Sequence, residues 1–364
     1  MNPKRPIVLS LRRTREGFTL TELLVSIVVV VIIVLMLTQV MTSSSAITRT
    51  AHKHIDTDTQ ARVVFDRMAL DFAQMLKRTD IDYYVKQRSA YNGHGNGHGW
   101  GQGKNGDKGS DQMAFFSAVP GYYPSGSTGG QQSPISLVAY RVTESNLNDP
   151  AYGRLVRMAK GLRWSALESN PNSNSPYPIV FLPQTLAGVG KPWNPAITND
   201  DVCNNGNSSS CDQDYEVIGP GVFRFEYYYL LKNGWLTDWP WDRRDDTINR
   251  RTISDPPSIG LSQVEAIGVA IAVINPEARA LIQEASSNAG YGDITDVAAA
   301  LADFKNANGI GNQGKKIGDM ENKWKAVVES IAQTGQPPGS STRFPPEAAK
   351  GIRLYSRYFD LKTL

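Results

Sequence analysis

Histidine and cysteine are scarce in this sequence. Its 364 residues include two cysteines and four histidines, and the histidines are His52, His54, His94 and His98. The first pair follows a long apolar run, and the second pair lies in a glycine-rich segment that would not fix its geometry. A Ser-His-Asp or Cys-His arrangement needs a histidine base held in a folded domain. The scarcity therefore argues against these hydrolases, and we do not expect a metal site at His94 and His98.

Motifs of nucleotide-dependent and metal-dependent enzymes are also missing. The chain has no phosphate-binding glycine loop that ends in Lys-Ser or Lys-Thr, no dinucleotide-binding glycine pattern and no HExxH. Aspartate and glutamate together number 35, so a pair of catalytic carboxylates, as in a glycosidase, stays open. We therefore expect a protein that is not an enzyme and uses no cofactor, with a tethered hydrolase as the enzymatic alternative.

Positive charge is confined largely to the beginning of the chain. The whole sequence carries a formal charge of +3 and residues 1–17 carry +4, so the remainder carries −1. Nucleic-acid binding usually requires a broad positive field. Binding to nucleic acid is therefore not expected of residues 18–364 as a whole.

What the sequence does contain is one long apolar run near its beginning. Residues 23–37 include only Ser26 as a polar residue, and residues 18–41 would form about 36 Å of α-helix at 1.5 Å per residue. That length crosses a hydrocarbon core of ~30 Å, and the basic residues before it favour the cytoplasmic side. The sequence predicts a transmembrane helix at 18–41, with the bulk of the chain across the membrane.

This apolar run includes a single carboxylate, Glu22. A carboxylate at membrane depth costs roughly 2.5–3.5 kcal/mol, so it is rare without a partner. A cut between Gly17 and Phe18 would create a free amine four residues before Glu22. We interpret Glu22 as the partner of such an amine on a neighbouring subunit.

Residues 12–24 resemble the N-terminus of type IV prepilins and of the pseudopilins of type II secretion. The matching residues are Gly17, Phe18, Thr19, Leu20, Glu22, Leu23 and Leu24, preceded by Arg12, Arg13 and Arg15. In that family, prepilin peptidase cuts after the glycine and methylates the new amine, and the mature helices pack into a filament. The resemblance implies a leader at 1–17, cleavage between Gly17 and Phe18, N-methylation of Phe18, and an assembly role for Glu22. It also implies three kinds of partner: other pilins or pseudopilins, the peptidase, and the inner-membrane assembly machinery.

An ordinary secretory signal peptide is the alternative interpretation of this segment. Ser44, Ser45 and Ala46 have small side chains at the spacing of a signal-peptidase site. That alternative leaves Glu22 unexplained, and the helical pattern continues past the proposed cut. N-terminal sequencing distinguishes the two, because the mature chain would begin at Phe18 in one case and at Ile47 in the other.

An amphipathic helical pattern follows the apolar run. Ala61, Phe65, Met68, Phe72 and Met75 are spaced by four, three, four and three residues, which places them on one helix face. No proline or glycine interrupts residues 18–80. We therefore predict one long helix whose second part, 42–80, lies against a soluble domain.

Residues 81–364 combine short strand patterns with long connections, including a glycine-rich loop at 89–112. The strand patterns lie at 135–142, 154–158, 222–231, 264–274 and 352–359, and Asn233-Gly234 marks a tight turn that leads into a return strand at Trp235. The alternation in 222–231 predicts a half-buried strand. In 264–274, Gly268, Ala270 and Ala272 form a face of small residues, which we expect to meet the long N-terminal helix.

Residues 276–343 interrupt the strand patterns. Two helical patterns, at 293–305 and 321–333, indicate a helical insertion in the sheet domain or a sub-domain beside it.

The resemblance to prepilins and pseudopilins implies the pilin-like α+β fold, in which a long N-terminal helix packs on an antiparallel sheet. From 217 onward the chain is similar to J-type minor pseudopilins, in which a strand, a tryptophan-containing turn and a small-residue strand recur in this order. The phrases GYYPS, SPISLVAYR and RMAKGLRW also resemble a prepilin-type gene cassette of Verrucomicrobia.

Two polar segments hold further candidate residues. Cys203 and Cys211 are close in sequence, and in an oxidising compartment they would form a local disulfide, with unpaired thiols as the alternative. The carboxylates that flank this loop favour either a calcium site or, more simply, a solvated acidic loop; they are Asp200, Asp201, Asp212 and Asp214. Aromatic and arginine side chains mix in the next segment, which favours a partner contact or a hairpin edge; they are Trp235, Trp239, Trp241, Arg243 and Arg244.

These patterns together indicate a structural subunit of a filament. The expected location is the inner membrane, with the N-terminus in the cytoplasm and a globular periplasmic domain. The expected role is a minor pseudopilin at or near the tip of a type II secretion-like or type IV pilus-like filament. An exposed tip subunit for adhesion or DNA uptake is the alternative, because Arg243 to Arg251 would provide a local basic patch.

Overall fold

The structure is a computed structural model, which describes residues 19–77, 110–121, 134–143, 150–161, 215–237, 261, 263–304 and 317–361. The chain divides into two compact units, 1–54 and 55–364. The helices are α1 (Leu20–Ala73), α2 (Pro276–Ala285), α3 (Ile294–Ala300), α4 (Asp319–Thr334) and α5 (Pro346–Ala349). The strands are β1 (Gln112–Ser117), β2 (Ser136–Val142), β3 (Leu155–Gly161), β4 (Tyr215–Gly219), β5 (Val222–Leu231), β6 (Leu236–Thr237), β7 (Val264–Ile274) and β8 (Ile352–Asp360).

The first unit, as far as it is described, is the beginning of helix α1. Leu20–Ser45 is apolar and long enough to cross a membrane, and none of its side chains is buried within the protein. Such a helix is consistent with a single-pass membrane anchor.

The second unit contains two antiparallel sheets of four strands each. Their strand orders are β1-β2-β3-β4 and β6-β5-β7-β8. The five predicted strand patterns and the return strand after Asn233-Gly234 are all found as strands, whereas β1 and β4 were not predicted. The fold is therefore α+β with a long N-terminal helix.

The helical stripe of α1 forms the centre of the first core. Ala61, Phe65, Met68, Phe72 and Met75 are all buried in this core. The ring of Phe72 lies 5.2 Å from that of Phe115 on β1 and 5.0 Å from that of Phe359 on β8, between ring centroids. Helix α1 thus packs against strands of both sheets.

Helix α1 ends at Ala73, earlier than the predicted end at residue 80. Beyond the helix, the N–H of Leu76 donates to the carbonyl of Phe116, and the N–H of Ala118 donates to the carbonyl of Gln74, both at 2.9 Å. The chain leaves the helix at this point because its backbone pairs with the end of β1.

The prediction for the small-residue face of β7 is wrong. Ile267, Val269, Ile271 and Val273, on the opposite face, pack in the core that contains the α1 stripe. Ala270 and Ala272 instead lie in a second core with residues of α2–α5. The small side chains make room for aromatic rings, since a Cβ on Gly268 would lie only 2.5 Å from Cε2 of Tyr228.

Helices α2–α5 form the insertion between the antiparallel neighbours β7 and β8, and they pack on the sheet rather than beside it. Helix α2 was not predicted, although Asn275 caps it by accepting from the N–H of Ala278 at 2.8 Å and proline follows at the first helical position. Trp324 of α4 is fully buried in this second core.

The insertion also changes the environment of β5. This strand was predicted to be half-buried, but nine of its ten residues are buried. Phe225 and Tyr227 face the first core, while Tyr228 faces the second. A register irregularity between Val222 and Arg224 also places Phe223 in the second core.

Candidate functional site

The first turn of α1 encloses Glu22 in a capping box. The N–H and the Oγ1 hydroxyl of Thr19 both donate to Oε2 of Glu22, each at 3.0 Å. In return, the N–H of Glu22 donates to Oγ1 of Thr19 at 3.3 Å. This is the reciprocal T-x-x-E arrangement that satisfies amides at a helix start. The carboxylate is therefore held by its own helix in the isolated subunit.

The surface around Glu22 is almost entirely apolar. Ser26, one turn later, donates its hydroxyl to the carbonyl of Glu22 at 2.7 Å, so it adds no free polar group. Glu22 is the only charged residue between Leu20 and Thr48, and the large apolar side chains from Leu20 to Met41 are exposed on all sides. In a bilayer such a helix offers neighbouring helices van der Waals contact together with one carboxylate.

Most of the other sequence-predicted site residues lie outside the described residues. These are Gly17 and Phe18 of the cleavage site, the cysteines Cys203 and Cys211, the acidic residues Asp200, Asp201, Asp212 and Asp214, and the contact candidates Trp239, Trp241, Arg243 and Arg244. The histidines His94 and His98 and most of the glycine-rich loop also lie outside them. Trp235 is described; it is half-buried, and its N–H donates to Oδ1 of Asn233 at 3.1 Å in the turn before β6.

A buried ion pair, which the sequence did not reveal, joins α1 to the first sheet. Arg157 of β3 contacts Asp71 of α1 through two bonds, Nε to Oδ2 at 2.7 Å and Nη2 to Oδ1 at 2.9 Å. The hydroxyl of Tyr140 on β2 also donates to Oδ2 of Asp71. All three residues are at most 2% exposed. Burial, and then the charge of Asp71, raise the pKa of Tyr140 well above its ordinary value, so the hydroxyl remains a donor.

Two exposed contacts tie the same helix to β8. Nη1 of Arg357 lies 2.9 Å from Oδ1 of Asp66, and the hydroxyl of Tyr355 donates to Asp58. Burial, followed by the bond to Asp58, raises the pKa of Tyr355 to about 12. These contacts extend the docking of α1 to the edge strand of the second sheet.

A second buried group of charged residues lies between β5 and the insertion. Carboxylate oxygens of Asp111, Glu226 and Asp303 all lie within 4.8 Å of one another. Arg224 approaches from the same strand as Glu226, with Nη2 at 3.1 Å from Oε2 of Glu226. All four residues are at most 2% exposed. The carboxylates are close enough to share a cation, and the guanidinium of Arg224 lies against Glu226.

Backbone amides hold two of these carboxylates in place. The N–H of Phe304 donates to Oε1 of Glu226, and the N–H of Tyr227 donates to Oδ2 of Asp111, both at 3.0 Å. Burial raises the pKa of Glu226 well above its ordinary value, and the charges of Asp111 and Asp303 raise it further, while Arg224 opposes them.

This cluster bears on the enzymatic alternative that the sequence left open. Converging carboxylates exist, but each is at most 2% exposed, between the sheet and the insertion. A glycosidase needs its acid and base on the two sides of a bound substrate. In the described part of the chain, the convergence lies in a closed core and does not resemble that arrangement.

Comparison with known proteins gives one match. The family model described as the prokaryotic N-terminal methylation motif matches residues 12–38, which include Gly17, Phe18, Glu22 and α1 as far as Thr38. No curated protein and no solved structure matches the chain. The motif supports the type IV prepilin and pseudopilin family and a structural subunit rather than an enzyme. With the apolar helix, it supports a peptidase-processed, prepilin-like protein that is anchored by one transmembrane helix.

Proposed function

We propose that this protein is a minor pseudopilin, or a pilin-like subunit, that is cut between Gly17 and Phe18 and assembles through α1. The observation that carries the proposal is the methylation motif at 12–38, which overlaps a helix with Glu22 as its only charged residue between Leu20 and Thr48. Phe18 becomes the methylated N-terminus. The leader, residues 1–17, stays in the cytoplasm because it is basic.

The function of Glu22 is to pair with the N-terminal amine of a neighbouring subunit. Cleavage creates that amine close to the membrane depth of Glu22, and an ion pair there offsets the roughly 2.5–3.5 kcal/mol that an uncompensated carboxylate costs. In the isolated subunit, Thr19 occupies Oε2 of Glu22. On assembly, a bond between Glu22 and the neighbour's amine replaces this intramolecular bond or is added to it. That contact sets the register of the helices.

The chain beyond α1 is the periplasmic pilin-like domain of this proposal, with 18–41 as the membrane helix and the part of α1 from residue 42 to Ala73 as its amphipathic continuation. The burial of one face of α1 between Ala61 and Met75 supports this division. The order of β5, the Asn233-Gly234 turn and β7 supports a J-type minor pseudopilin of type II secretion. The shared phrases support the narrower likeness to protein C of the Verrucomicrobia prepilin cassette. Both likenesses favour a position at or near the filament tip.

Processing is the direct test of this function. We expect the full chain, coexpressed with a prepilin peptidase, to yield a mature protein that begins at methylated Phe18 by mass spectrometry of its N-terminal peptide. Gly17→Val should retain the leader, because the peptidase cuts after glycine in this family. Glu22→Ala is the matched control and should be cleaved normally. A mature chain that retains Met1, or one that begins at Ile47, would contradict the proposal.

A further inference from the structure

Two arginine side chains lie near each other where the turn before β3 meets the insertion. Arg279, the fourth residue of α2, donates from Nη2 to the carbonyl of Gly153 at 2.7 Å and from Nη1 to the carbonyl of Tyr152 at 3.4 Å. Arg154 follows Gly153 directly, and its charge acts on Arg279. The two guanidinium groups therefore face one joint, between the first sheet and α2.

The backbone that carries Arg154 is fixed by the end of β2. The N–H of Gly153 donates to the carbonyl of Thr143 at 2.6 Å, and the N–H of Thr143 donates to the carbonyl of Arg154 at 3.2 Å. Gly153 has a φ of +62°, and a Cβ there would lie only 2.7 Å from Cγ2 of Ile294. Glycine therefore lets the turn approach the insertion closely, with Arg154 held at the joint.

Neither arginine is paired with a carboxylate in the part of the chain that the structure describes. Nε of Arg154 is buried and has no acceptor there, and the acceptors of Arg279 are neutral carbonyl oxygens. The carboxylate in the same joint, Asp293, is used elsewhere: it accepts from the hydroxyl of Tyr152 at 3.1 Å and caps α3 through the N–H of Thr295 at 2.9 Å. The two positive charges therefore lack a negative partner.

This arrangement is unfavourable unless an anion joins it. Burial, followed by the charge of Arg154, lowers the pKa of Arg279 to about 10, so both side chains are cations at neutral pH. The start of α2 also disfavours a cation, because the helix dipole is positive at that end. Each guanidinium has N–H donors that it does not use here. Both residues are half-buried, so a solute can reach them.

We propose that Arg154 and Arg279 form a binding site for a phosphate group, either the free ion or a phosphate monoester. Phosphate oxygens accept paired hydrogen bonds from guanidinium groups. Phosphate also carries roughly two negative charges near neutral pH, which offsets both arginines, whereas one carboxylate would offset only one. The bound phosphate joins α2 to the turn before β3. This inference does not depend on the proposed filament function.

The test is isothermal titration calorimetry of the full chain in detergent micelles near neutral pH. Inorganic phosphate is the probe, and sodium chloride keeps the ionic strength constant. The wild type should bind one phosphate per chain. Arg154→Met and Arg279→Met should each weaken binding by about tenfold or more, because each removes charge-assisted hydrogen bonds. Arg62→Met, at an exposed position of α1, is the matched control and should keep the wild-type affinity.

Amide hydrogen exchange locates the site. Phosphate should slow exchange in wild-type peptides that cover residues 151–156 and 276–285, and it should have no such effect in Arg154→Met. Arg154→Lys covers the case in which the methionine variants fail to fold. It keeps the charge but loses the paired donors, so its affinity should lie between those of the wild type and Arg154→Met.

A second probe, glycerol phosphate, distinguishes the two sources of the phosphate group. Weaker binding than that of inorganic phosphate would assign the site to the free ion, and equal or tighter binding would assign it to a monoester. Three results would overturn the proposal. They are no phosphate binding by the wild type at millimolar concentrations, an affinity that both methionine variants leave unchanged, and equal affinity for acetate, which carries a single charge.

Discussion

The ion pair between Asp71 and Arg157 makes a sharp prediction about how α1 is held on its domain. Asp71→Asn keeps the size and one acceptor oxygen of the side chain but removes its charge. Arg157, which is 2% exposed, would then be a buried cation without its bidentate carboxylate. Breaking a buried pair by removing one partner costs about 3–5 kcal/mol. We expect Asp71→Asn to lose about 3 kcal/mol of unfolding free energy, at the low end because the amide still accepts one bond.

The same helix offers a matched control in the pair between Asp66 and Arg357. Their nitrogen–oxygen distance is 2.9 Å, as short as those at Asp71, but the side chains are 62% and 43% exposed. Exposed pairs contribute only about 0–1 kcal/mol. Urea unfolding of the full chain in detergent, followed by tryptophan fluorescence, should therefore show a large loss for Asp71→Asn and a small one for Asp66→Asn.

A double variant separates the cost of an unpaired charge from the net value of the pair. Asp71→Leu with Arg157→Met removes both charges and keeps apolar volume, so it should recover much of the loss seen in Asp71→Asn. Equal losses for Asp71→Asn and Asp66→Asn would refute the reasoning, because burial would then have no effect on what the pair contributes.

Two further variants test the membrane helix and the second core. The Glu22→Ala variant should still be cleaved and inserted into the membrane. It should be depleted from sheared filaments relative to the control variant Ser26→Ala, because only Glu22 provides a charge for the neighbour's amine. Equal incorporation of the two variants would count against the pairing. Gly268→Ala should lower the free energy of unfolding by about 1–3 kcal/mol in a urea titration, since its Cβ would lie 2.5 Å from Cε2 of Tyr228. Glu265→Ala, at the exposed position of the same strand, is the control and should change the free energy of unfolding by no more than about 0.5 kcal/mol; an equally small loss for Gly268→Ala would contradict the crowding argument.

Local periodicity in the sequence was enough to predict most of the regular elements. The spacing of Ala61 to Met75 gave the buried face of α1, and alternation gave β5 and β7 with nearly their observed bounds. Glu22 was recognised because a carboxylate in an apolar run is physically unusual. These features depend on residues close together in the chain, which is why a single sequence reveals them.

Apart from helix α2, whose cap at Asn275 is local, the main errors concern contacts with distant parts of the chain. Alternation in β5 predicted a solvated face for Arg224 and Glu226, but the insertion, which follows β7, covers that face. Asp71 lies off the apolar stripe of α1, so the spacing of that stripe does not predict its burial, and only the pairing of β3 with β2 brings Arg157 to it. The small face of β7 was assigned to the wrong helix. The sequence shows that this face can accept a large neighbour, but it does not show which part of the chain provides that neighbour.

The two buried charged groups join different pairs of elements, and this difference decides which interface each group holds. Around Asp71, Arg157 and Arg67 face Asp71 and Glu216, so this group joins α1 to the first sheet. Around Glu226, the amide of Phe304 donates to the carboxylate and Arg224 pairs with it, so this group joins β5 to the insertion. Asp71→Asn should therefore accelerate amide hydrogen exchange in residues 55–73, while exchange in residues 294–304 should stay close to that of the wild type.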